Sequence, residues 1–314
     1  MNGFLAELGK RLAEHWLSLL VLPGALFLGV LAAGRELGHA HWYAVDELPA
    51  RLDRQTGTLA GSTADLLLFL LAFLLAAAAC GLAAQALGSL AERLWLAGDW
   101  HGWPRVTHGL VRRLIARRER IFAARSDEAA SAVARAELAE AGPDAAHGAA
   151  TAVSRMRRVA DARPVRPTWA GDRLRAVETR LLTSLGVRVA VIWPQLWLHA
   201  PDSTRTEIGT AREELRRSAT LAGWGLLYVT VATVWWPGAV IGGAVLLTAW
   251  HRFRTATDAY ATLVESAVRL HVHELARALG IGGRGPLTAA HGAALDAYLA
   301  TGEEPPPDVL LPRD

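Results

Sequence analysis

Cysteine is nearly missing from this chain: Cys80 is the only one. A single thiol leaves no intramolecular disulfide and no cysteine metal cluster, which excludes a disulfide-stapled scaffold and a structural zinc site of the cysteine type. Lysine is as scarce. Lys10 stands alone, so arginine carries the positive charge; a GC-rich genome that favours Arg and Ala codons accounts for this. The formal charge of +3 is too small to argue for nucleic acid. No aromatic platform or known motif accompanies the basic residues, so no nucleic-acid partner is expected. Nor is there a P-loop, a GxSxG or an HExxH. No catalytic residue, cofactor or metal is expected.

What is present is apolar sequence in blocks. Residues 66–90, LLLFLLAFLLAAAACGLAAQALGSL, carry no formal charge. About 20 apolar residues cross a bilayer core of about 30 Å as a helix, so this stretch is predicted to be a transmembrane span. Residues 16–33, WLSLLVLPGALFLGVLAA, form a first span, with Pro23-Gly24 expected to kink it. Residues 219–235 and 238–250 make a second pair around a Trp236-Pro237 turn. At 1.5 Å per residue these arms reach roughly 25 and 20 Å. They are short for full spans: either the helices extend with Arg216, Arg217, Arg252 and Arg254 snorkelling, or the hairpin sits in a locally thin membrane or is re-entrant. Tryptophan, at 12 residues, is common and clusters beside the apolar blocks, as interfacial aromatics do. The expected fold is therefore all-α: an integral membrane protein with four transmembrane helices in two hairpins and a mostly helical cytoplasmic region between them.

Charge sets the sidedness. Residues 91–217 hold 22 arginines against 15 acidic residues. Arg93, Arg105, Arg112 and Arg113 lie near the membrane end, where the positive-inside rule operates. That puts the central region and both termini in the cytoplasm and the polar loop 34–64 outside, in a multi-pass protein of the cell (inner or plasma) membrane.

Four regions follow. Residues 1–90 hold an amphipathic N-terminal helix and the first hairpin. Residues 91–217 divide into a basic helix 104–141, a low-complexity linker 142–167 and a small domain 168–217. Residues 218–250 form the second hairpin. Residues 251–314 form C-terminal helices and a disordered tail from residue 303. In the basic helix, Leu110, Leu114, Ile121 and Phe122 are read as one side. In the small domain, a helix over 170–185 precedes VRVAVIW (187–193), whose periodicity fits a short strand or a buried helix segment, ended by Pro194. Asp202-Ser203-Thr204 reads as a helix start, with Thr204 and Glu207 at capping-box spacing. Further on, Tyr260, Val264, Ala267, Val268, His271 and Leu275 share a helical face, with Leu263 and Leu270 beside it. GIGGRG (280–285) ends that helix, and a last helix covers 288–300.

Three segments carry a resemblance: RPTWAGDRLRAVE (166–178), GVRVAVIWPQLW (186–197) and DAYATLVESAVRLHVHELARALG (258–280). Their order resembles a family of uncharacterised, actinobacterial-type integral membrane proteins. In these a Pro-Thr-x-x-Gly-Asn-x-Leu-Arg segment precedes a Trp-Pro-x-Leu segment, a membrane hairpin and a closing Tyr-containing helix. Asp172 stands where that pattern has Asn. The resemblance covers 166–280 and implies a shared fold without implying an activity.

Several side-chain groups are candidates for chemistry. Arg112, Arg113, Arg117, Arg118 and Arg120 suit anionic lipid headgroups. Gly81 and Gly88, and Gly238, Gly242 and Gly243, give small faces for helix packing or pore lining. His39, His41, Asp46 and Glu47 share the outer loop in a spacing too loose to define a metal site. His271 and Glu274 are close enough on one helix to touch, while His273 points elsewhere. Asp65 marks the outer edge of the second span, and Gln85 is expected to bond across helices. The functional expectation is a membrane-anchored interaction or scaffold protein with a cytoplasmic partner-binding domain. Its partners would be the bilayer, a cytoplasmic protein and further copies of itself. The alternative is an oligomeric pore or channel-like membrane effector.

Overall fold

A computed structural model describes residues 21–44, 46, 63–98, 100–137, 143–282 and 287–310. The expected N-terminal helix, most of the outer loop with Glu47, and the last four residues lie outside that set. The described residues form nine α-helices and no β-sheet: α1 (Leu22–Leu37), α2 (Thr63–Leu96), α3 (Arg105–Glu137), α4 (Pro143–Val159), α5 (Trp169–Leu185), α6 (Val189–His199), α7 (Asp202–Val231), α8 (Pro237–Ala278) and α9 (Ala289–Thr301). They fall into two compact units. The first is Met1–Glu92 with Arg216–Phe253, and the second is Arg93–Leu215 with Arg254–Asp314.

In the first unit, α2 is the one helix among the described residues long and apolar enough to cross a membrane. Its first half turns leucines outward all round: Leu66, Leu67, Leu68, Leu70, Leu71, Leu74 and Leu75 are 44% to 65% exposed. A charge-free helix with outward leucines satisfies every backbone group internally and suits lipid. One stripe is different. Ala77, Gly81, Ala84, Gly88 and Ala91 are buried at alternating spacings of four and three. The small side chains bring backbones together. A Cβ on Gly88 would lie 2.7 Å from Thr220 Cα, and one on Gly223 would strike the Ala84 carbonyl. Gly24 of α1 meets the Ala77 carbonyl in the same way. Phe27 then seats its ring edge-on against Tyr228, with centroids 5.5 Å apart. Pro23 lies in the first described turn of α1, and residues 16–20 of the expected first span, on which the expected kink depends, lie outside the described residues. The turn at Trp236-Pro237 forms as expected, between the end of α7 and the start of α8.

The core of the second unit gathers Val177, Leu181, Ile192 and Leu196 from α5 and α6 against Ala261, Val268, Val272 and Leu275 of α8, closed by Leu295 of α9. α5 and α6 together are long and apolar enough to cross a membrane but meet at an 85° bend. Leu181 and Leu196 are buried in this core and Leu174 and Leu185 pack against it, while Leu182 and Leu198 are exposed, so the pair is core structure. The corner is Gly186, at φ +71°, where a side chain would be strained and would also strike the Ala289 carbonyl.

Several expectations change here. Of the two readings of 187–193 the helix holds, from Val189 onward, but Pro194 sits inside α6 instead of ending it. The carbonyl freed by Pro194 is that of Ala190, an exposed residue that water can reach. The linker 142–167 contains α4, which pairs with α3 through buried Ala129, Ala149 and Ala152. On α3, Leu110, Leu114 and Ile121 face solvent and Val111 takes the buried side. α7 starts at Asp202, so Thr204 lies inside the helix and the capping box does not form. Leu270 is 69% exposed instead of flanking the core. The tail is docked as far as Leu310: Gly282 N–H donates to the Val309 carbonyl at 2.8 Å, and Ile281 bridges Leu310.

Candidate functional site

The site begins with what holds α5. Thr168 caps the helix, accepting from Gly171 N–H at 3.2 Å, and its hydroxyl donates to the Trp95 carbonyl at 2.5 Å. Gly171 has no side chain because the Leu96 carbonyl occupies that space. One turn in, the buried Asp172 accepts from Val165 N–H at 3.0 Å and Arg166 N–H at 2.9 Å. Its other oxygen pairs with Arg118 of α3. The Arg118 guanidinium also donates to the carbonyls of Arg166, Thr168 and Val159, at 2.6, 2.8 and 2.9 Å. The loop between α4 and α5 is thus tied down by one arginine and one carboxylate. Beside it, Arg254 stacks 4.3 Å above Trp169 and donates to the Arg158 carbonyl at 2.9 Å. Burial, with the neighbouring Arg118 and Arg158 charges, lowers the Arg254 pKa from its ordinary value.

Fixed in this way, α5 forms one wall of an apolar groove of about 310 Å³. Leu174 and Val177 come from α5, Val189, Trp193 and Pro194 from the corner and α6, and Tyr260, Ala261 and Val264 from α8. Glu178 is the single charged residue in the lining. Its carboxylate is more than half exposed and only 3.9 Å from Arg166 at best, so it stays available at the rim. Trp193 is backed by Trp197, with ring centroids 5.7 Å apart. Three of the residues that carry the family resemblance, Trp193, Pro194 and Tyr260, are groove residues. Periodicity places Tyr260 and Val264 on the core face, but gives no sign that the α5–α6 corner leaves that face open.

The other predicted positions are dispersed. Arg112, Arg113, Arg117 and Arg120 are exposed on α3, whereas Arg118 points inward and is satisfied by protein acceptors. It therefore leaves the lipid-facing set. Gly238 and Gly242 are buried in the first two turns of α8, against Val231 and Val229 of α7. Gly243 faces open space. Gly81 and Gly88 belong to the buried stripe of α2. His39 Nε2 lies 3.4 Å from the Thr233 carbonyl. His271 does meet Glu274, at 3.3 Å, and its other nitrogen lies 3.5 Å from Thr204 Oγ1. His199 approaches the same carboxylate at 3.9 Å. Among the described residues no three His, Cys, Asp or Glu side chains meet in metal-holding geometry. Asp65 sits in the first turn of α2, where a negative charge favours the helix dipole. Gln85 is exposed on α2 instead of bonding to a neighbouring helix.

No protein-family profile, curated protein or solved structure matches the chain. The resemblance over residues 166–280 stands on its residues alone.

Proposed function

We propose that this chain is a membrane-anchored interaction protein. Its second unit works in the cytoplasm and takes an apolar anchor of a partner protein into the Trp193–Tyr260 groove. The groove carries the reading. A cavity of this volume holds one or two large side chains, and its lining supplies apolar area and aromatic edges, which dominate hot spots. Glu178 at the rim suits a partner with a basic residue beside its anchor. α2 supplies the membrane attachment, with 16–33 and the two arms around Trp236-Pro237 completing two hairpins. The arginine excess of the central region favours a cytoplasmic second unit and cytoplasmic termini.

The experiment is site-specific photocrosslinking in membranes, with the probe at Glu178. The expected result is a discrete adduct that disappears when Ala190→Trp fills the groove. An adduct pattern unchanged by Ala190→Trp, or none in a correctly folded and inserted protein, would overturn the reading. The oligomeric pore remains a second reading because Gly243 is open and Val240, Ile241 and Leu247 around it are exposed. Solute leakage from liposomes that is lost on Gly243→Leu would favour the pore over the scaffold.

A further inference from the structure

We propose that α3 lies flat on an anionic lipid surface, with Val106, Leu110, Leu114 and Ile121 dipped into the leaflet and Arg113, Arg117 and Arg120 on the phosphates. This rests on the reading of α2 as a membrane span. Four large apolar side chains on α3 face away from the protein: Val106 is 90% exposed, Leu110 62%, Ile121 42% and Leu114 40%. At 100° per residue they fall in one stripe roughly 80° wide. A neighbouring face, about 100° round the helix from the centre of the stripe, is spent on the protein: Val111 and Ala129 are buried, and Arg118 reaches inward to Asp172. The stripe is therefore surplus to the fold.

Charge identifies what covers it. Arg117 lies within the stripe, and Arg113 and Arg120 run along its edge. Arg113 and Arg117 make no ion pair among the described residues, and Arg120 only folds back to the Ala116 carbonyl. The single acid between residues 105 and 121 is Glu119, which is held by Arg163. An apolar stripe bordered by arginines complements headgroup phosphates above acyl chains. An acidic protein surface would satisfy the arginines but leave the leucines and valine without a hydrocarbon phase. The chain also delivers α3 to lipid. α2 ends at Leu96 and α3 begins at Arg105. Eight residues reach at most about 30 Å. Trp95, Trp100 and Trp103 lie in or beside that connection, and this residue type concentrates at the headgroup level.

The test uses the full chain with Cys80→Ala and one new cysteine, Leu110→Cys or Leu114→Cys, carrying a nitroxide. Ala123→Cys, on the far side of the helix, is the control. Each protein goes into nanodiscs of phosphatidylcholine alone or with one third phosphatidylglycerol. Collision with oxygen is compared with collision with a water-soluble nickel chelate. In the anionic discs the labels at 110 and 114 should gain oxygen access and lose nickel access several-fold, while the label at 123 stays in water. The triple variant R113E/R117E/R120E should return both labels to water. Labels that stay in water in anionic discs overturn the proposal. So does equal shielding in neutral discs, or shielding in lipid-free detergent that rises with protein concentration, which would make the face a contact between copies. If the reading of α2 as a membrane span failed, the protein would not elute with the discs of phosphatidylcholine alone, which separates that failure from this one.

Discussion

Arg118 and Asp172, 54 residues apart in the chain, meet as an ion pair with their side chains only 17% and 6% exposed. One guanidinium and one carboxylate between them close the whole connection from α4 to α5. Removing one partner strands the other in a poorly solvated place, which costs about 3–5 kcal/mol. Asp172→Ala also orphans the N–H groups of Val165 and Arg166. Asp172→Asn keeps an acceptor for those two groups and loses the charge, a change worth about 1.5–3 kcal/mol. Thermal unfolding in detergent should therefore rank wild type above Asp172→Asn, and Asp172→Asn above Asp172→Ala and Arg118→Ala.

Acid sensitivity should come from Glu265. Its carboxylate takes Arg180 at 2.7 Å and Arg269 at 3.1 Å. The Arg180 hydrogen bond, then that of Arg269, lowers the Glu265 pKa below its ordinary 4.5 against the opposing effect of burial. A lowered carboxylate pKa means that the unfolded chain binds the proton more readily. The stabilisation is full above pH 4.5 and is lost as pH falls through the lower folded value. Glu265→Gln should lower the unfolding temperature at pH 7 and flatten its fall as the pH drops below 4.5. An unchanged acid limb in Glu265→Gln would remove this account.

Two glycines should respond in opposite directions to the same change. Alanine in a helix interior is favoured over glycine by about 0.5–1 kcal/mol when nothing stands in the way. At Gly243 nothing lies within 4 Å of the added carbon, so Gly243→Ala should raise stability. At Gly88 the added carbon would sit 2.7 Å from the Thr220 Cα and 2.9 Å from the Ala219 carbonyl oxygen, both backbone atoms. Overpacking of that kind costs about 1–3 kcal/mol. Gly88→Ala should therefore lower the melting temperature measured by fluorescence-detected size exclusion. Equal shifts at the two positions would mean that α2 and α7 are not in backbone contact.

The C-terminal segment should stabilise the second unit. Val309 is 7% exposed and Ile281 is fully buried beneath the 281–310 bridge. Ending the chain at Glu304 removes that valine and uncovers Ile281. Burying one such side chain is worth about 1.5–3 kcal/mol. The truncated protein should melt several degrees lower, and restoring residues up to Leu310 should recover the loss.

The sequence makes some of this architecture readable because large apolar residues advertise themselves. Residues 66–90 are charge-free, Trp236-Pro237 punctuates two apolar runs, and Val264, Val268 and Leu275 recur at helical spacing. The groove is not readable, since it depends on the 85° corner at Gly186 leaving Trp193 and Tyr260 half-covered. The inward turn of Arg118 is hidden for a different reason. It sits in a run of arginines that look alike, and only the position of Asp172 selects it. The Pro-rich ending of the chain suggests disorder because one valine and two leucines in a row are too few for a periodicity.

α4 is obscured by its alanines. Ala145, Ala149, Ala152 and Met156 recur at spacings of four, three and four, a helical stripe that carries too little hydrophobicity to stand out. Alanine is also the best helix former, and it lets α4 approach α3 closely enough to bury Ala129, Ala149 and Ala152. Arg155 crosses to Glu128 at 3.3 Å, beside the Arg125 contact of the same carboxylate. These partners lower the Glu128 pKa, Arg125 first, but the pair is exposed and adds little. The packed alanines, more than the ion pairs, hold the two helices together. Ala152→Leu should therefore disrupt the hairpin by overpacking, while Glu128→Gln leaves it intact. Hydrogen exchange across residues 145–157 reads both outcomes. Wild type and Glu128→Gln should show slow exchange there, and Ala152→Leu fast exchange together with trypsin cleavage at Arg155, Arg157 and Arg158. Fast exchange in the wild type would return this segment to a mobile linker.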